Sequence, residues 1–212
     1  MAIRWHDVTI PLREGMVVWP GDPPFEFTPV NRITGGAACN TSRAAFSTHL
    51  GTHVDAPWHF EENGKRLHEL DHALFFGEAR LIEIPGVDII HAGDLGKSPL
   101  PQRILIKTRN SVYPDEAPFR TDYVALAEDA ARRIVEEDVN LVGVDYLSVA
   151  PYKQKGHTTH HCLLGNGIIV VEGLRLKGFP SGSYLFTMLP LALAGADGAP
   201  CRAFLGIEEN GR

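Results

Sequence analysis

Long apolar runs, paired cysteines and an excess of positive charge are all missing from this chain of 212 residues. No apolar stretch approaches the roughly 20 residues a helix needs to cross a bilayer. Met1 to Pro11 alternates polar and apolar side chains and lacks the apolar core of a secretory signal. The three cysteines, Cys39, Cys162 and Cys201, are odd in number and far apart, so no disulfide framework is expected. A cytoplasmic setting is the simplest one. The net charge of −6 argues against nucleic acid or an anionic membrane as a partner. Hydrophobic residues at 44% and charged residues at 22% are the ordinary mix of a globular domain. No repeat, low-complexity tract or linker divides the chain, which is expected to form a single domain over 1–212.

Histidine is what stands out, with ten in the chain and two local concentrations. His49, His53, Asp55 and His59 follow the pattern H-x3-H-x-D-x3-H. Imidazole nitrogen and carboxylate oxygen are the donors a transition metal takes at neutral pH, and a catalytic zinc commonly keeps three protein ligands and one open position. Alternate residues of a strand share a face, so a strand running from Arg43 into this segment would turn His49, His53 and Asp55 to one side. Pro57 imposes an irregular path before His59. A histidine beside a metal, rather than on it, is what a general acid/base requires. A lone histidine would be an ordinary polar residue; three with an aspartate in so short a segment favour a metal site.

The second concentration is His157, His160 and His161, ahead of an apolar strand, Ile168 to Glu172. A carboxylate at the end of such a strand is costly unless a cation or donors compensate it, which makes Glu172 a candidate ligand. Neighbouring His160 and His161 point about 100° apart on a helix, and spacing alone does not choose between them. His68 and His72 stand at i, i+4 beside Leu67, Leu70 and Leu74, a pattern that reads as a helix packing its apolar side, with the histidines at the surface or core edge. Ser148 near Asp145 lacks a nucleophile-elbow pattern, and Cys162 reads as a packing residue.

Around these motifs the chain reads as α/β or α+β, with a mixed sheet and long N-terminal β and loop excursions. Short strands are expected at 5–10, 79–84, 103–108, 141–146, 168–172, 184–189 and 202–205. Leu141 to Val144 is apolar on both alternating sets, as in a strand covered on two faces. Thr121 can cap a helix whose apolar side is Val124, Ala127, Ala131, Ile134 and Val135. A shorter helix is expected over 158–164, ending near Gly165-Asn166-Gly167.

The segment Ser47-Thr-His-Leu-Gly-Thr-His-Val-Asp-Ala-Pro-Trp-His-Phe60 resembles the signature of the cyclase-like metal-dependent hydrolases. Bacterial kynurenine formamidases (arylformamidases) are the best-known members of that family, and isatin hydrolases are relatives. The resemblance extends to Val18-Trp-Pro-Gly-Asp22, to the stretch from His160 to Leu174 and to the stretch from Tyr184 to Leu191, in the family's order. It implies a single mixed β/β/α, swivelling-domain-like α/β fold and a centre with two zinc ions, or manganese in their place. His49, His53 and Asp55 would hold the first ion. Asp55 would also reach the second, His160 would bind it, and Glu172 would share both. The family's step of twelve residues from histidine to glutamate selects His160 over His161.

His59 would be the general acid/base, and Trp19 would line the substrate pocket. The implied reaction is hydrolysis of a small-molecule amide, with N-formyl-L-kynurenine giving kynurenine and formate. Hydroxide on the metal would attack the carbonyl while His59 passes a proton to the leaving nitrogen. The family forms homodimers or higher homo-oligomers. Gly143 to Pro151 departs from the Thr-Pro-Ser form of the formamidases, which leaves opening of a cyclic amide or lactone as a second reading. A non-catalytic metal- or small-molecule-binding protein is a third, and His59 counts against it.

Overall fold

Strands that are apolar on both alternating sets need cover on two faces, and the fold supplies it. The computed structural model describes residues 2–114 and 117–209. Its strands are β1 (Ala2–Asp7), β2 (Glu26–Asn31), β3 (Thr41–Ala45), β4 (His53–Asp55), β5 (Phe76–Glu83), β6 (Arg103–Lys107), β7 (Leu141–Val144), β8 (Ile169–Glu172), β9 (Gly182–Pro190) and β10 (Gly198–Glu209). Two α-helices, α1 (Glu128–Glu136) and α2 (Thr158–Leu164), accompany them. The strand order β10-β4-β8-β7-β6-β5-β9 closes on itself because β9 also pairs with β10, and β1 adds to the outside of β10. Strands β5 to β8 run parallel, while β4, β9 and β10 are antiparallel to their neighbours. This is the mixed α/β architecture that the family resemblance implies.

Closure places alternate side chains in two cores. Val54, Leu105, Leu141, Val171, Phe186 and Leu205 fill the ring. Ile104, Ile106, Val142 and Val170 point the other way, against Ala131 and Ile134 of α1 and Leu163 of α2. His53 and Asp55 alternate with Val54, so they too face outward, on the side where α2 packs.

Three local expectations change. The helix expected from Thr121 begins only at Glu128, because 124–127 is used as extended chain: Ile90 bridges Leu126, Leu126 N–H donates to Val149 and Asn110 brackets Val124. The strand expected to run from Arg43 into His49 ends at Ala45, so His49 lies on a loop. The segment Leu67 to Phe75 is two 3-10 turns rather than one helix, with Leu67 and Leu70 buried and both histidines at the surface. β2 has no counterpart among the expected strands, whereas β3 overlaps the one expected from Arg43. β2 and β3 form an exposed two-stranded arm, with Pro29 inside β2 next to a register shift, a place where a missing N–H is tolerated.

Candidate metal centre

The pairing of β4 with β8 sets His53 directly opposite Glu172. His53, Asp55 and Glu172 are each at most 3% exposed. The His53 Nδ1–H donates to the Gly51 carbonyl at 3.0 Å, which turns Nε2 toward the carboxylates. That Nε2 stands 3.4 Å from Asp55 Oδ1 and 3.3 Å from Glu172 Oε2, the separation of donors converging on a common cation. Gly173, at φ +72°, permits this approach: a Cβ there would lie 2.3 Å from the Gly51 carbonyl oxygen.

His49 reaches the same place from the loop ahead of β4. Its Nδ1 is 2.8 Å from Asp55 Oδ1 and its Nε2 is 3.0 Å from Asp197 Oδ2. His160 enters from α2, with Nε2 3.6 Å from Glu172 Oε1. Glu172 Oε1 also accepts the Val149 N–H at 2.7 Å. His161 turns to the surface and pairs with Glu61 at 2.7 Å. Burial therefore favours the same member of the pair, His160, as the family's spacing.

Of three donor groups among the described residues, the two with buried carboxylates are His49/His53/Asp55 and Asp55/His160/Glu172, and within each the donor atoms lie within 4.8 Å of one another. Asp55 belongs to both. The fit to metal rests on more than proximity, because His160 Nδ1 is buried with no hydrogen-bond partner and Nε2 lies beyond hydrogen-bonding distance of Glu172. An imidazole so placed is poorly served by hydrogen bonding alone. Imidazole and carboxylate donors suit zinc, and manganese is compatible with them.

His59 stands apart from these groups on the turn Pro57–His59. Its side chain is 28% exposed, against 14% or less for the three histidines in the donor groups. The ring stacks on His49 with centroids 3.7 Å apart, and Phe60 stacks on His160 at 4.3 Å. Together they border a cleft of about 410 Å³ whose other walls include Trp19, Asp22, Leu147 and Ser148. Trp19 meets Phe119, Tyr123 and Tyr152 edge-on. No lysine or arginine is among the described residues lining the cleft. His68 accepts the Gly195 N–H away from it, Asp145 is occupied by Thr108 and Ser111, and half-buried Cys162 packs against the outer core.

Burial opposes charge on His49, yet Asp55 and the hydrogen bonds to Asp197 and Asp55 raise it to about 9. Burial likewise opposes charge on His53, which hydrogen bonds to Asp55 and Glu172 raise to about 10. Asp55 is held well below the usual carboxylate range: burial works against this, and His49 outweighs it. Both imidazoles titrate above their ordinary 6.5, so the stability they contribute is complete below about 6.5 and is lost as pH rises through about 9 to 10. Protein stripped with a chelator is therefore expected to melt at progressively lower temperature from pH 6.5 to 10. Zinc-loaded protein, whose ligating imidazoles are already deprotonated, is expected to lack that decline. Melting curves with and without chelator check this, and a flat or rising profile for the stripped protein contradicts it.

Asp197 is the site residue that sequence reading misses. It lies 148 residues from its partner His49, within an unremarkable Gly195-Ala-Asp-Gly198 turn. An acidic residue among small ones just before a strand is the only signal, and a weak one.

Residues 6–151 match the model of the Cyclase family. That match ends before His160 and Glu172, but similarity to individual proteins runs further. Kynurenine formamidase of Bacillus cytotoxicus is 34% identical over 210 residues, covering 96% of this chain and 98% of that protein. A solved structure described as a potential metal-dependent hydrolase with cyclase activity has a TM-score of 0.83 at 34% identity, covering 99% of this chain and all of that one. Isatin hydrolase A from Labrenzia aggregata shares the fold, with a TM-score of 0.82 at 21% identity over 98% of this chain and 94% of its own. With well over half of its length matched by the family model and nearly all of it by these relatives, the chain is a hydrolase of the Cyclase family.

Proposed function

We propose that the chain is a metal-dependent amidohydrolase that cleaves an aryl formamide such as N-formyl-L-kynurenine, releasing kynurenine and formate. The observation that carries this reading is Asp55, shared by two donor groups that border one cleft with His59. The 34% identity to kynurenine formamidase supports the choice of substrate.

His49, His53 and Asp55 would hold one ion, and Asp55, His160 and Glu172 the other, zinc in each case with manganese as the substitute. Bound there, the ions supply an acidified water and a polarised carbonyl. That contribution matters because the cleft offers no lysine or arginine to a carbonyl oxygen. His59 holds a proton at the cleft wall and delivers it to the nitrogen as the C–N bond breaks, so the amine leaves neutral. Trp19, braced by Phe119 and Tyr152, offers an aromatic wall for the aniline ring. The cleft volume lies in the range of small-molecule sites.

Opening of a cyclic amide is the competing reading, favoured by Leu147 and Ser148, which line the cleft on the loop that departs from the formamidase pattern. Assays with N-formylkynurenine and isatin side by side decide between them. The formamide is expected to show a kcat/KM higher by roughly tenfold or more, and the reverse preference would move the assignment to ring opening.

The working form is proposed to be a homodimer or larger homo-oligomer in the cytoplasm, acting on small molecules and on neither nucleic acid nor membrane. The β2–β3 arm, which holds Phe27 and Val30 out in solvent, supports self-association. Three unpaired cysteines suit a reducing compartment. No helix among the described residues is long and apolar enough to cross a membrane.

A further inference from the structure

His49 has a carboxylate on each ring nitrogen, Asp55 at Nδ1 and Asp197 at Nε2, and only one of those nitrogens can be the ligand atom. Nδ1 is the nitrogen beside Asp55, the carboxylate that both donor groups share. If Nδ1 carries the lone pair, Nε2 carries the hydrogen and donates it to Asp197. Metal-ligating histidines characteristically use their second nitrogen in this way, and the partner fixes both tautomer and ring orientation.

Asp197 is itself gripped from both ends of the histidine segment. Thr48 Oγ1 donates to Asp197 Oδ1 at 2.9 Å, which leaves Oδ2 for His49, and the Ala56 N–H donates to the Asp197 carbonyl at 2.9 Å. The next residue, Gly198, pairs with Asp55 across the sheet. A Cβ at Gly198 would come within 2.8 Å of His49 Cε1 and 2.5 Å of the Val54 carbonyl oxygen, so only glycine lets β10 run this close to the imidazole. Asp197 Oδ2 also lies 3.7 Å from His59 Nδ1, within electrostatic reach of the ring stacked on His49.

We infer that Asp197 is a positioning residue of the metal centre, holding His49 through its Nε2–H so that Nδ1 faces the ion. This rests on the reading of His49 as a ligand. The rival role is Asp197 as a ligand in its own right, since His49, His59 and Asp197 also form a donor group.

The test is Zn²⁺ affinity of the full chain, measured by chelator competition for wild type, Asp197→Ala and Asp197→Asn. Melting curves of the stripped proteins establish that each is folded. An asparagine oxygen still accepts the Nε2–H, without the charge, whereas alanine removes the partner. Asp197→Ala is expected to bind zinc about 10–100-fold more weakly and Asp197→Asn no more than about fivefold. Equal losses in both variants overturn the inference in favour of direct ligation, and unchanged affinity in Asp197→Ala overturns it outright. A wild-type chain that binds no zinc overturns the metal-centre reading together with this one. Normal wild-type affinity with an unaffected alanine variant sinks this inference alone.

Discussion

His59→Ala is expected to lower turnover of the formamide by about 10²–10⁴-fold while leaving the metal content unchanged. The two halves of that expectation come from different features of the site. The loss follows from removing the group proposed to deliver a proton to the departing nitrogen: of the other histidines lining the cleft, His49, His53 and His160 belong to donor groups that contain Asp55, and the His157 ring packs 5.3 Å from Phe60. Retention follows because His59 belongs to neither group that contains Asp55. Elemental analysis of the purified variant beside its kinetics separates the two effects. Loss of metal in the variant would make His59 a ligand, and undiminished turnover would remove it from the chemistry.

Asp55→Ala has the larger expected effect because its carboxylate is common to both donor groups. Its side chain is 1% exposed and touches His49 at 2.8 Å and His53 at 3.4 Å. Without it each group keeps two donors, fewer than the three protein ligands typical of a catalytic zinc. Metal is expected to be lost from both positions and turnover to fall by roughly 10³-fold or more, the equivalent of several kcal/mol of charge stabilisation. Asp55→Asn preserves shape and hydrogen bonding while supplying only a neutral amide oxygen, so it should fold as the wild type does and still lose metal. Activity retained in the asparagine variant would remove Asp55 from the centre.

How far the site could be read in advance differs from residue to residue. His53 and Asp55 are legible from parity, since a strand necessarily turns i and i+2 to one face, and β4 does so. Glu172 is legible from the cost of a carboxylate on an apolar strand, but its seat opposite His53 depends on a pairing between distant segments that no local pattern encodes. His49 joins the group from a loop, so the strand argument reaches the right residue by the wrong path. Choosing His160 over His161 needs either the family's spacing or the burial that only tertiary structure provides. Asp197 is invisible because its meaning comes entirely from contact with a segment far away in the chain.

The same division runs through the fold. Strands and α2 carry strong local signals and keep their places, with ends shifted by a few residues. Helical spacing across 124–127 mimics a helix, whereas the apolar residues there are buried as extended chain whose backbone groups bond to Ile90 and Val149. β2 escapes notice because Pro29 in the middle of Glu26–Asn31 argues against a strand, and pairing with β3 overrides that.

A two-ion centre built on one shared aspartate is tested most directly by the count of zinc bound per chain. Protein stripped by chelator and titrated with zinc is expected to take up two ions per chain, with formamide hydrolysis absent before addition and restored by it. Saturation at one ion, or hydrolysis that survives stripping, would rule out a two-ion centre.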